Sequence, residues 1–307
     1  MNYQPSISVL GEGAWGTALA LVLARNGFDV TLWCHDSEKI VHEKIKTTRD
    51  GNQALMSEYI FVAIPVQFLR TFLQKHSTNS NSLWIVGCKG IEQETFLFPT
   101  QIIEDNIHHA RTAVISGPSF ARELQAEQLT GLVITSKFQE DRKQIFALMN
   151  NTYLTLTFSS DIIGIQSCAA FKNSIALATG ILEGLGYHHN TQALCITYGL
   201  QEMATFVTTM GGNSSSVYGL AGIGDTLLTC SSQSRNFKLG VFLGSGLNLN
   251  QALTHFTTPP ESINTLHALV KYANTQKLYT PLITCLYDII THKKSSDYLL
   301  KILTTYS

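Results

Sequence analysis

The first half of the chain alternates short apolar runs with segments whose apolar positions recur at helical spacing. SISVLG reads as a buried strand, and TALALVLARNG as a helix stopped at Gly27. DVTLWC, EYIFVAIP, SLWIVGC, TAVISGP, GLVITS and YLTLTF read as further strands. Strands separated by helices need crossover connections, which predicts a mostly parallel sheet with helices on its faces, an α/β architecture. The second half differs. No proline occurs between Pro118 and Pro259, and from Asp161 onward the pattern is helical, with long helices expected around 166–184 and 191–210. Both are apolar on most faces. We therefore expect two domains, 1–160 and an all-helical 161–307.

Between the first strand and its helix lies Gly11-Glu12-Gly13-Ala14-Trp15-Gly16. A G-x-G-x-x-G run means little alone, but the strand before it and the helix and strand after it give it a mechanism. Gly11 permits the tight turn, Gly13 lets a pyrophosphate approach the backbone, and Gly16 allows close packing of helix on strand. The helix N-terminus then offers N–H groups to the anion. This predicts a Rossmann-type site for a dinucleotide, with Ala14 and Trp15 in the cofactor loop. The second strand ends in Trp33-Cys34-His35-Asp36. His35 suits a 2′-phosphate when protonated and Asp36 suits a free ribose, so NADH and NADPH both remain open.

Charged residues make up only 14% of the 307 residues, and the net charge is −1. Lysines and arginines nowhere cluster, which argues against nucleic acid or an anionic membrane as partner. The six cysteines are scattered with no C-x-x-C pair, as expected of reduced thiols in the cytoplasm. No basic segment followed by an apolar core opens the chain, and no apolar run is long enough to span a bilayer. One consequence of the low charge is local. Between Lys143 and Arg235 the sole lysine or arginine is Lys172, set among small apolar residues in CAAFKNSIALATGIL. Such a lysine either extends its ammonium to water or sits in a low-dielectric wall, where it can polarise a carbonyl or transfer a proton.

The ordered segments GEGAWGTALALVLARNG, CKGIEQET, SGPSFARE, FKN and GLAGIGDTLLTC with SRN resemble the bacterial NAD(P)-dependent sn-glycerol-3-phosphate dehydrogenases over nearly the whole chain. The resemblance implies hydride transfer between NADH or NADPH and dihydroxyacetone phosphate, supplying a glycerophospholipid precursor, by a cytoplasmic homodimer. It makes Lys172 and Asp225 catalytic, although an Asp after a glycine is equally a helix N-cap. Thr229 would lie one turn beyond Asp225 on the same face. Lys89, Gly117, Ser119, Lys172, Asn173, Asp225, Ser234, Arg235 and Asn236 are implied on the substrate side, with Arg235 suited to a phosphate. On the cofactor side, beside the glycine loop and His35 or Asp36, the resemblance implies Lys89, Ala121, Arg235 and Glu261. No metal site is implied.

The chain departs from the family pattern in several places. Residues 42–58 are shortened, Ser167-Cys168 replace two glycines, Tyr198 replaces an arginine, the spacer before SRN is one residue short, and Ser262 replaces a glycine. The shortened loop and Ser167-Cys168 motivate one alternative, a degenerate nucleotide-binding protein without turnover. The other is a related two-domain β-hydroxyacid dehydrogenase, a class that also uses a lysine and an asparagine on a second-domain helix.

Overall fold

A computed structural model describes residues 4–35, 42–78, 81–291 and 293–306. The chain forms two compact units, Met1–Lys89 with Leu97–Ile162, and Gly90–Phe96 with Ile163–Ser307. A single cut near residue 160 misses the excursion Gly90–Phe96. That segment is bound to the second unit through Gln93 Nε2, which donates to Asn264 Oδ1 at 3.2 Å, and through the Glu94–Lys271 ion pair at 3.0 Å.

The first unit is built on strands β1 (Ile7–Leu10), β2 (Val30–Trp33), β3 (Ile45–Thr48), β4 (Tyr59–Val62), β5 (Leu83–Val86), β6 (Arg111–Ser116), β7 (Thr130–Ser136) and β8 (Leu154–Ser159). They form one sheet in the order β3-β2-β1-β4-β5-β6-β7-β8. All neighbours are parallel except β6 and β7. Every residue of β1 and β5 is buried, as in strands covered on both faces. On one face Ala18, Val22 and Leu23 of the Ala14–Arg25 helix and Ile145, Leu148 and Met149 of the Gln139–Met149 helix share a core with Val9, Leu32 and Ile85. The order reverses at β1, which has β2 on one side and β4 on the other, so the crevice for a ligand falls at the end of β1. β3 adds to the strands expected from sequence. As an edge strand of composition IKTT it lacks the apolar run that marks the others.

The second unit is helical. Its central Ile162–Gly184 helix is buried along nearly its whole length, which accounts for its apolar circumference. It crosses the Arg235–Gly244 helix at backbone contact. A Cβ on Gly180 would collide with the Phe237 carbonyl, and one on Gly240 with the Leu177 carbonyl. Gly184 and Gly244 repeat the contact one turn on. Among the described residues no helix is long and apolar enough to cross a membrane.

Away from this crossing, Glu202 is 2% exposed and accepts hydrogen bonds from the backbone N–H groups of Leu282 (2.5 Å) and Ile283 (3.2 Å). It thereby caps the Pro281–Ile290 helix, where a carboxylate also suits the helix dipole. Burial nevertheless pushes its carboxyl up to about 7, against the lowering effect of those two backbone bonds and of Tyr306. Tyr306 stacks on Tyr198, ring centroids 4.0 Å apart. The folded protein binds the Glu202 proton more tightly than the unfolded chain does. The contribution of Glu202 to stability is therefore fully present below the ordinary carboxylate range and is lost as pH rises through about 7. In urea melts at successive pH values, Glu202→Gln should flatten this decline; an unchanged slope would assign it to other groups.

Candidate active site

The glycine loop of the first unit is tied to the strand ends on either side of β1. Gly11 N–H donates to Trp33 O at 3.1 Å, and Ala63 N–H to Leu10 O at 2.9 Å. Gly11 has φ +116°, which favours glycine, and a Cβ there would meet Ala63 O at 3.0 Å. A Cβ on Gly16 would collide with Gly11 O, whereas Gly13 faces open space. The Ala14–Arg25 helix starts with no side-chain cap, so its first N–H groups remain available to an anion. The indole Nε1 of Trp15 is buried and has no hydrogen-bond partner. These features fit a dinucleotide pyrophosphate approaching at Gly13, while Gly11 and Gly16 let the loop pack closely on Ala63 and on itself.

The segment SGPSFARE adjoins this loop within the same unit. Gln125 Nε2 donates to Ala14 O at 3.1 Å, anchoring the Ala121–Gln125 helix beside the loop. Gly117 has φ +151°, and a Cβ on it would strike the Gly131 carbonyl. Ser119 Oγ donates to Gly117 O at 3.1 Å, and Ser119, Ala121 and Lys89 are half-buried. His35 is exposed at the end of β2; Asp36 lies outside the described residues. The shortened 42–58 stretch holds β3 and a short helix, Gly51–Ala54, capped by Asp50.

In the second unit Lys172 is 5% exposed and Asp225 2%. Lys172 Nζ lies 3.0 Å from Asp225 Oδ1 and donates to Thr229 Oγ1 at 2.6 Å. The Thr229 hydroxyl in turn donates to the Asp225 carbonyl at 2.6 Å. The ammonium therefore does not extend to water. Nor is Asp225 a helix cap: it is the first residue of the Asp225–Thr229 helix, whose N-cap is Gly224. The preceding turn, Leu220–Gly224, depends on Gly222 at φ −91°, ψ −105°, where a Cβ would collide with the Val217 carbonyl. Cys230 ends the same helix. Burial pushes its thiol up to about 11, outweighing the opposing effects of Thr179 and Lys172.

A chain of amides extends from Asn173. Asn236 Nδ2 donates to Asn173 Oδ1 at 2.9 Å, and Asn236 Oδ1 accepts from the Ser262 backbone N–H at 3.1 Å. Asn173 Nδ2 reaches Glu261 Oε2 at 3.5 Å. These contacts fix both amide orientations and make Asn236 a brace for Asn173, a relation the sequence does not signal. Ser234 caps the Arg235–Gly244 helix, its Oγ accepting from Phe237 N–H at 3.4 Å. Arg235, the first residue of that helix, and Glu261 are exposed.

A parallel sheet in the order 3-2-1-4-5-6 with a glycine cradle at its switch point, and a separate helical unit enclosing a lysine–carboxylate pair, define a nicotinamide-nucleotide-dependent dehydrogenase. Residues 161–301 match the C-terminal profile of NAD-dependent glycerol-3-phosphate dehydrogenase, and residues 6–56 and 37–142 the N-terminal one. The chain is 35% identical to the glycerol-3-phosphate dehydrogenase [NAD(P)+] of Pseudomonas syringae pv. tomato, over 94% of its own length and 91% of the relative's. It is 33% identical to that of Pseudomonas fluorescens, over 99% and 95%. The crystal structure of glycerol-3-phosphate dehydrogenase from Coxiella burnetii superposes with a TM-score of 0.93 at 28% identity, over 98% of this chain and 99% of that one. The chain belongs to the NAD(P)-dependent glycerol-3-phosphate dehydrogenase family.

The Lys172–Asp225 pair is buried enough for its balance to be measurable. Asp225→Asn leaves an ammonium facing a neutral amide and should cost about 3–5 kcal/mol in urea unfolding. Lys172→Met combined with Asp225→Asn should recover part of that loss, because no unpaired charge remains. Additive losses in the double variant would show that the two groups do not interact.

Proposed function

We propose that the chain transfers hydride between NAD(P)H and C2 of dihydroxyacetone phosphate, giving sn-glycerol 3-phosphate, with Lys172 as proton donor to the substrate oxygen. The observation that carries this reading is the enclosed Lys172–Asp225 pair, whose side chains are 6% and 2% exposed. The bound nicotinamide supplies or accepts the hydride. As C2 receives it, the carbonyl π pair moves onto oxygen and takes a proton from Lys172 Nζ. The lysine, left as a neutral amine, regains a proton from solvent. A cation near that oxygen stabilises the developing charge, and more strongly where water is excluded.

The other residues orient. Asp225 balances the ammonium, and Thr229 directs one of its N–H bonds. Asn173, held by Asn236, presents a fixed amide to the substrate. Arg235 takes the phosphate, with Ser234 fixing the helix start from which it projects. Lys89, Gly117 and Ser119 complete the substrate side, while Gly11, Gly13, Ala14, Trp15, Gly16 and Ala121 hold the cofactor, with Glu261 and Arg235 at its margin. A cytoplasmic homodimer is the form this reading implies, and six free cysteines support a reducing compartment.

Loss of nicotinamide absorbance with dihydroxyacetone phosphate, and none with β-hydroxyacid or β-ketoacid pairs, tests the reaction. Lys172→Met should lower kcat by about 10²–10⁴-fold while cofactor affinity stays within a few-fold. A near-normal kcat would remove Lys172 from the chemistry. Arg235→Ala should chiefly raise KM for the phosphorylated substrate, by on the order of 10-fold or more, because binding energy common to ground and transition states is lost. An unchanged KM would place the phosphate elsewhere.

A further inference from the structure

The end of β3 carries a cation that has been given no role so far. β3 runs parallel to β2 with Thr48 opposite Trp33, so both strands finish at the same edge of the sheet as β1 and the glycine loop. The next residue, Arg49, is held by its main chain. Trp33 Nε1 donates to Arg49 O at 3.2 Å, and on either side of it Cys34 N–H donates to Thr48 O at 2.9 Å and Asp50 N–H to Thr48 Oγ1 at 3.1 Å. Its side chain is exposed, as is His35 at the end of β2. Gly11, His35 and Arg49 thus follow three adjacent parallel strands, which are spaced about 5 Å apart.

A dinucleotide whose pyrophosphate lies on the glycine loop extends its adenosine ribose towards the end of β2. The ribose 2′ position then falls near His35 and Arg49. A guanidinium there matches the geometry and charge of a phosphate monoester and has nothing to gain from a bare hydroxyl. We propose that Arg49 is the specificity-determining residue of the cofactor site, and that by binding the adenosine 2′-phosphate it makes this enzyme prefer NADPH to NADH. The proposal rests on the dehydrogenase reading above and supplies the preference that reading leaves open.

Calorimetric titration of the full chain with adenosine 2′,5′-bisphosphate and with 5′-AMP isolates the 2′-phosphate and requires no turnover. The wild type should bind the bisphosphate on the order of 10-fold tighter or more, by a margin that shrinks with added salt. Arg49→Ala should abolish the difference while leaving 5′-AMP affinity within about two-fold, and Arg49→Lys should restore part of it. Equal affinities in the wild type, or a preference that survives Arg49→Ala, would overturn the assignment. Failure of both nucleotides and of NADPH to bind a folded wild type would instead overturn the dehydrogenase reading itself. Circular-dichroism melts of each variant separate lost recognition from lost folding.

Discussion

The second unit depends on two helices meeting with no side chains between them. Gly180 and Gly184 on one, and Gly240 and Gly244 on the other, let backbone rest on backbone. Any Cβ at these positions would force the helices apart, at a cost typical of overpacking, about 1–3 kcal/mol. Separation would also be felt elsewhere. Asn173 and Asn236 lie on the same two helices, two turns and one turn before their glycines, and their 2.9 Å hydrogen bond exists only at this spacing. The glycines thus determine the position of an amide with which they share no bond.

Lys172 lies next to Asn173 and inherits the same rigidity. Its ion pair with Asp225 brings in a third element, the short helix that follows the Gly222 turn. Burial makes the pair expensive to assemble and still more expensive to leave half-formed. The two charges are thereby fixed in position relative to each other. Glu202 is a useful contrast: it is equally buried and bonded to backbone N–H groups but is not ion-paired among the described residues, and burial raises its affinity for a proton.

The sequence revealed most where a single local rule governs. β1, β4 and β5 are apolar runs because both of their faces are covered, and the glycine loop follows β1 in a fixed pattern. β3 escaped notice because an edge strand with two buried residues carries almost no such run. The excursion Gly90–Phe96 was equally hidden, since its allegiance rests on Asn264 and Lys271, far along the chain. Lys172 stood out by its isolation, whereas the Asn236–Asn173 contact is set by a helix crossing that no pattern within either helix reports. Similarly, Ser234 looked like one of several polar groups in SRN, and only the structure shows it closing a helix start.

Position 262 shows how a contact can depend on the main chain and not on the side chain. Asn236 Oδ1 takes its hydrogen bond from the main chain of Ser262, not from the hydroxyl. Every residue except proline carries that donor, so evolution can alter the side chain here without disturbing the amide that steadies Asn173. What the position cannot tolerate is an imino acid, or a side chain too large for a site with no exposed surface. A serine at this point of the backbone keeps the Asn236 contact and adds a buried hydroxyl with no hydrogen-bond partner, so its cost falls on stability and not on the amide network.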